Sequence, residues 1–366
     1  MNTIKQLKLY KEIVDHQLNI FFRQRMDDLM EIDPFASYML RLLRDFTMRG
    51  GKRIRPALIY YSYRLFSNEN LDEIIKASAA FELIQSYLLI HDDIIDRDSL
   101  RRGGLTMHEM YKHAHIKNFE KEHMNHGMLN TKEYSAHFGT SIAILTGDAA
   151  NHLANLIMLN LKMPDERKIN AVSELNRLIH RVIYGEALDV LAETKKKVTE
   201  SDIMKIHHLK TASYTFEGPL IIGAILAGAT RAQLKILSDY AVPLGQAFQL
   251  QDDILGVFGE EEKLGKPIGS DLREGKQTLL VIKALQGSDA REKKIIRDAM
   301  GNPDITQEQI EDVQAVMITT GALDHSRKLA KKLIKKAKIS LEKLKISNES
   351  KDFLMGIADY MLERKY

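Results

Sequence analysis

Two stretches of this chain carry paired aspartates behind apolar residues. The first is His91-Asp92-Asp93-Ile94-Ile95-Asp96, followed by Arg101-Arg102-Gly103, and the second runs from Gln249 through Asp252-Asp253 to Gly256. Residues four apart share one face of a helix. Asp92 and Asp96 therefore project together, with Asp93 turned about 100° away. No Lys or Arg stands at i±4 to neutralise that pair, so the two carboxylates repel unless a hard divalent cation with oxygen ligands joins them. Mg²⁺ suits the role, because it takes a few carboxylates together with water and substrate phosphates. A solvated acidic helix end is the plain alternative, and the long apolar run before the motif weighs against it. In the second stretch the i+4 position is Gly256, which leaves that site one candidate ligand short.

Cationic segments complement the acids. Gly50-Gly51-Lys52-Arg53-Ile54-Arg55-Pro56 sets three cations in four residues beside a glycine pair, a composition that wraps an anion with charge and backbone N–H groups. Alone it reads as a solvated turn. Lys266, Asp271 and Lys276 lie in GKPIGSDLREGKQT, which suits a loop closing over phosphates. The run from Gly259 to Lys266 has the wrong spacing for a nucleotide P-loop, and Pro267 stands where Ser or Thr is needed, so ATP binding is excluded. Lys210-Thr211-Ala212-Ser213-Tyr214 leads into an apolar helix and says little alone. Two acidic helical sites with several cationic ones fit a diphosphate ester held by bridging Mg²⁺. No Ser-His-Asp arrangement is evident and there is no Cys. A reaction driven by electrostatic stabilisation of a leaving group needs no nucleophile.

The elements that must position these residues read as helices. Over 366 residues there are 21 Gly and 7 Pro, few enough for helices with short connections. Leu71 to Asp96 lacks both and predicts one long buried helix. Ser238 to Phe258 predicts a second, kinked near Pro243 and Gly245. Pro219 to Ala229 predicts a buried apolar helix, and amphipathic surface helices follow Gln307. Met163-Pro164-Asp165 and Gly301-Asn302-Pro303 read as turns. No composition shift divides the chain, so residues 1–366 are taken as one domain. His108 to His137 holds six of the 13 His. Their spacing does not match a zinc site, and about 109–137 reads as a polar insertion. The absence of Cys excludes disulfides and thiolate sites. A net charge of +3 gives no reason to expect nucleic acid. No apolar run approaches ~18 residues, so stable membrane insertion is not expected. The N-terminal residues lack a secretory apolar run, and a cytoplasmic location is expected.

Five motifs in order, GGKRIRP, HDDIIDRDSLRRG, TGDAA, KTASYTFEGPL and QDDILGVFGEEEKLGKPIGSDLREGKQT, resemble the trans-isoprenyl diphosphate synthase (polyprenyl synthetase) family. The likeness runs from about Phe35 to the C-terminus and points to archaeal-type geranylgeranyl diphosphate synthases. It implies an all-α helical bundle of the isoprenoid synthase type around a central cavity, as a homodimer. The implied reaction is head-to-tail condensation of isopentenyl diphosphate with an allylic diphosphate. By motif match Asp92 and Asp96 hold Mg²⁺, and Asp252 holds a further ion, with three ions in all. Arg101, Lys210 and Lys266 contact the allylic diphosphate, with Lys276 close by. Lys52, Arg55 and Arg102 hold isopentenyl diphosphate, and Gln85, Thr211, Phe248 and Gln249 line the reaction centre. The resemblance makes Tyr87, with Leu88, the ruler of product length and implies mainly the twenty-carbon product. Gly256 departs from the family pattern, which implies a somewhat weaker second metal site. The rivals are a His-Asp phosphohydrolase, a terpene cyclase, a farnesyl or longer-chain synthase and a non-catalytic partner subunit. The second diphosphate site argues against the first two, and the intact first motif against the last.

Overall fold

The structure is a computed structural model and describes residues 2–122, 131–195, 198–259 and 268–363. Apart from one short hairpin, its regular elements are helical. The chain falls into two compact units. One comprises Ile4–Tyr60 and Glu69–Lys168, and the other Met1–Thr3, Tyr61–Asn68 and Ile169–Tyr366.

The unit with the first acidic motif contains α1 (Thr3–Met30), α2 (Pro34–Met48), most of α3 (Ile54–Tyr63), α4 (Leu71–Ile95), β1 (Leu100–Arg101), β2 (Gly104–Leu105), α5 (Met107–Glu122) and α6 (Thr131–Leu159). α2 starts where the Asp33 side chain accepts from the Phe35 N–H and Pro34 fills the first turn, where a missing donor costs nothing. α4 buries Ile74, Ala77, Ala80, Phe81, Leu83, Ile84 and Ile90. An apolar surface nearly all round makes it a central helix, and α6 packs along it. The sequence placed its end at Asp96, which is the C-cap.

The other unit holds most of α7 (Asp165–Thr194), α8 (Glu200–Ile206), a π-helical segment His207–Glu217, α9 (Gly218–Ala227) and α10 (Arg231–Phe258). It continues with α11 (Ser270–Glu274), α12 (Leu279–Gly287), α13 (Ala290–Ala299), α14 (Gln307–Thr319), α15 (Ala322–Glu342) and α16 (Glu349–Glu363). α10 starts before the expected Ser238, because Thr230 and Gln233 form a capping box, and it continues through Pro243. Its main partners are α15 and the π-helical segment. The Lys-rich α15 is therefore a packing helix with one wet face. Ile254 and Val257 of α10 share a buried cluster with Leu272 of α11, Leu280 of α12 and Val313 of α14. That cluster fixes the short α11 beside the end of α10.

Candidate active site

The end of α4 turns back on itself. Arg97 has a φ of 58°, and the β1–β2 hairpin pairs Leu100 with Leu105 and Arg101 with Gly104. Its central residues Arg102 and Gly103 have φ of 52° and 73°, as a type I′ turn requires. The hairpin swings Arg101 against the acids of α4. Arg101 Nη2 is 3.0 Å from Asp92 Oδ2 and 3.4 Å from Asp98 Oδ2, and Arg101 Nε donates to Asp93 Oδ1. No cation stands at i±4, as the sequence shows, but Arg101, nine residues after Asp92, pairs with that carboxylate from the hairpin. Burial works to lower the Arg101 pKa, but Asp93, Asp92 and Asp98 more than offset it, and the pKa is raised. Asp93 is fully buried, while Asp92 and Asp96 are half-buried. Asp93 thus anchors Arg101, and the other two acids keep open surface. Burial pushes the Asp93 carboxyl up to about 7, with the Arg101 charge pulling the other way.

The cations of the Gly50–Arg55 loop divide by burial. Gly50, Gly51 and Arg53 have φ of 59°, 88° and 53°, a left-handed path that glycine takes freely and arginine does not. Arg53 is buried, with Nε 2.8 Å from Asp15 Oδ1 and Nη1 bonded to Glu82. Its role is structural. Lys52 is exposed and Arg55 half-buried. Arg102 Nη1 donates to the Arg49 carbonyl at 2.8 Å, and a Cβ at Gly51 would stand 3.4 Å from it. The Arg102 guanidinium thus rests against Arg49 and Gly51, which brings together two cationic motifs separated in sequence. Burial, joined by the charges of Arg53, Arg55 and Arg101, lowers the Arg102 pKa, and the Glu82 carboxylate works the other way.

Arg49 escaped the sequence reading. It lies over the Phe46 ring and donates to the Leu105 carbonyl at 2.6 Å. With Phe46, Leu89, Arg101 and Arg102 it lines a narrow surface cleft. A Cβ at Gly104 would meet its guanidinium at 2.7 Å, so the hairpin glycine is required for this arrangement. The only sequence signal was its place immediately before the glycine pair.

Tyr87 and Leu88 are half-buried on α4, and Gln85 is buried. The Tyr87 ring stands 4.9 Å from that of His91, whose Nε2 is 3.6 Å from Asp148 Oδ1. A Cβ at Gly147 would meet His91 Cε1 at 2.4 Å. The Gly147-Asp148 pair of TGDAA thus makes room for His91 and holds it beside Tyr87.

The π-helical segment carries the next group. Lys210 Nζ is 2.7 Å from Glu186 and 2.8 Å from Asp189 of α7. Thr211 Oγ1 donates to Gln249 Oε1 at 2.7 Å, and Gln249 Nε2 donates to Asp253 Oδ1 at 2.8 Å. His207 Nε2 lies 3.3 Å from Asp253 Oδ2, within ion-pair reach but off the line of a hydrogen bond. Phe248 meets Phe216 edge-on at 5.6 Å. A Cβ at Gly185 would meet the Lys210 nitrogen at 2.5 Å, and one at Gly245 the Ala212 Cα at 2.4 Å. Glycines on α7 and α10 therefore admit the wide π-helical turn. Such turns gather at functional positions, and the sequence period gave no sign of this one.

The two acidic motifs share a design: Asp93 and Asp253 are buried, while Asp92 and Asp252 keep open surface. Lys276 pairs with Glu274 at 2.5 Å. Lys266 lies outside the described residues. Among the described residues, no three His, Asp or Glu side chains converge as a metal cage. His113 lies 3.5 Å from Glu109, and His115 pairs with Ser135 and packs on Phe138. These His take ordinary partners, and His123 and His126 lie outside the described residues.

Residues 36–317 match the family model described as polyprenyl synthetase. The chain is 34% identical to the geranylgeranyl diphosphate synthase of Sulfolobus acidocaldarius, over 86% of this chain and 88% of that protein. It is 32% identical to a geranylfarnesyl diphosphate synthase of Natronomonas pharaonis, over 87% of each. The crystal structure of a Corynebacterium glutamicum geranylgeranyl pyrophosphate synthase, complexed with isoprenyl diphosphate and magnesium, superposes with a TM-score of 0.88. The identity is 30%, over 97% of this chain and 98% of that one.

Proposed function

The chain belongs to the polyprenyl synthetase family and is a prenyltransferase with the all-α isoprenoid synthase fold, and from that premise we propose its reaction. It joins isopentenyl diphosphate head-to-tail (1′-4) to dimethylallyl, geranyl and farnesyl diphosphates. The main product is geranylgeranyl diphosphate, and diphosphate is released. The observation that carries this reading is the half-buried Asp92 and Asp96 at the end of a buried apolar helix, with Arg101 held against Asp92. Their hard carboxylate oxygens fit Mg²⁺, and Asp252 is the corresponding donor in the second motif. When bound, the divalent ions supply positive charge that makes the allylic diphosphate a better leaving group.

The chain's own residues do the rest. Arg101, Lys210, Lys266 and Lys276 balance the charge gathering on the departing diphosphate. Each preorganised contact contributes roughly 3 kcal/mol, by analogy with oxyanion donors. Lys52, Arg55 and Arg102 hold isopentenyl diphosphate through its anion. The allylic C–O bond breaks with its electron pair passing to diphosphate, the isopentenyl double bond attacks the allylic cation, and a proton leaves to diphosphate. Thr211, Gln249 and Phe248 line the reacting carbons, and apolar walls exclude water from the cation. Labelled isopentenyl diphosphate with an allylic primer and Mg²⁺ tests the reading. Label must pass into an extractable prenyl diphosphate, and release of inorganic phosphate alone would instead indicate a hydrolase.

Product length rests on Tyr87. The rise of the helix places it about 7 Å along α4 from Asp92, and His91 with Asp148 braces it. Replacing Tyr87 with Ala opens space below the growing chain, so the variant should release longer products by chromatography. An unchanged length would remove Tyr87 from the ruler.

We also propose a homodimer. Leu145, Leu156 and Leu159 are about half exposed on α6, and the 28 residues from Lys132 to Leu159 are long and apolar enough to cross a membrane. The open stripe on this helix is read as the face that meets a second copy. Light scattering should give twice the chain mass, and Leu156→Arg should shift the protein towards monomer.

A further inference from the structure

Arg49 caps the C-terminal end of α2 and reaches the β1–β2 hairpin in two ways. Its side chain donates from Nη1 to the Leu105 carbonyl of β2 at 2.6 Å, and its Nη2 stands 2.9 Å from Met110 Sδ in the first turn of α5. Its carbonyl accepts from Arg102 Nη1 at 2.8 Å. Phe46, one turn back on α2, lies under the guanidinium with its ring centroid 5.9 Å away. One residue therefore holds a strand of the hairpin with its side chain, and the arginine at the hairpin tip with its backbone.

The two hairpin arginines differ in what holds them. Arg101 is tied to Asp92, Asp93 and Asp98 at the end of α4. Among the described residues, Arg102 hydrogen-bonds to the Arg49 carbonyl alone. Its backbone is left-handed, with a φ of 52°. Arginine does not favour that conformation, so the tip needs a brace from outside the hairpin. Gly104 is shaped to the same brace. A Cβ there would stand 2.7 Å from Arg49 Nη1 and 3.0 Å from its Cζ. Gly104 does not have a positive φ, so alanine suits its backbone and collides first with the guanidinium. The glycine serves the Arg49 contact rather than the turn.

We propose that Arg49 is a positioning residue for the isopentenyl diphosphate site: it clamps the β1–β2 hairpin to the end of α2 and so sets where the Arg102 guanidinium meets the anion. The inference rests on the reading of Arg102 as a group that binds isopentenyl diphosphate. Because Arg101 has anchors of its own, losing the clamp affects one substrate and spares the other.

Isopentenyl diphosphate alone is the probe, since without an allylic partner it is not elongated, and calorimetry reads its binding. Arg49→Met keeps the apolar stem over Phe46 and removes the donors. It should weaken isopentenyl diphosphate about tenfold, the cost of a hydrogen bond made by a charged group, and raise its KM alike. The allylic KM and kcat should stay within about twofold, as expected when only uniform binding of one substrate is lost. Arg49→Lys, which keeps a donor for Leu105, should recover part of the loss. Gly104→Ala should weaken isopentenyl diphosphate in the wild-type chain and add nothing in Arg49→Met, the coupling expected of two residues in contact. Arg102→Gln must itself weaken isopentenyl diphosphate; if it does not, the reading of Arg102 falls and takes the inference with it. Wild-type affinity in Arg49→Met, with Arg102→Gln defective, overturns the inference alone and leaves the proposed function standing. A lower melting temperature in Arg49→Met, with both substrates weakened alike and Gly104→Ala adding its full effect, makes Arg49 merely structural and also overturns it.

Discussion

Asp92→Asn should lower kcat for chain elongation by about 10²–10³-fold while the protein stays folded. The side chain is half-buried and meets Arg101 Nη2 at 3.0 Å. Asparagine keeps its shape and can still accept that hydrogen bond, so little packing is lost. What disappears is the negative charge that would hold a cation against the substrate diphosphate. Because that charge matters most as the C–O bond breaks, the loss should fall on kcat more than on KM. Asp93→Asn is the informative contrast. Asp93 is buried and holds Arg101, so its loss should free the guanidinium and lower the melting temperature as well. Steady-state kinetics with labelled isopentenyl diphosphate, alongside circular dichroism, separate the two. A fall of less than tenfold in Asp92→Asn would remove it from the metal-binding set.

Arg53→Met should cost about 3–5 kcal/mol of folding stability, the usual penalty for removing one member of a buried ion pair. Its side chain is fully buried between Asp15 and Glu82, and Glu82 is itself buried. Burial alone would lower the Arg53 pKa, but Glu82 and Asp15 outweigh it, and the pKa is raised. Arginine therefore stays charged throughout the working pH range, and its removal strands a buried carboxylate. The pair joins α4 to the loop carrying Lys52 and Arg55, so the loop should loosen with it. Urea unfolding measures the loss, and adding Glu82→Gln to Arg53→Met should recover part of it. A loss below about 1 kcal/mol would place the pair among surface bridges of little consequence.

These two residues also show what was legible in the sequence. Asp92 stood out because its i+4 partner and the apolar run before it lie within one helix. The ends of α4 and α9 were legible for the same reason, as local periodicity and composition decide them. Arg53 was not separable from Lys52 and Arg55, since three adjacent cations look alike until burial is known. The acids that bury it come from residues 38 and 29 positions away in the chain. Arg101 was assigned to substrate by motif, but its contacts with Asp92, Asp93 and Asp98 depend on a hairpin of two-residue strands. Strands so short leave no alternating pattern to read. Gly256 shows the limit most clearly. In one dimension it is a gap in the acidic pattern, whereas the space beside it is taken by Asp271, which lies fifteen positions later and meets it only after α11 packs on α10.

The central claim is that both acidic motifs load divalent ions on a diphosphate. Anomalous diffraction from crystals grown with Mn²⁺ and an unreactive thiolo analogue of the allylic diphosphate tests it most directly. The account predicts manganese at the carboxylates of Asp92 and Asp96 and at that of Asp252, each bonded to a diphosphate oxygen. Diphosphate bound by lysine and arginine alone, with no manganese at either motif, would contradict it.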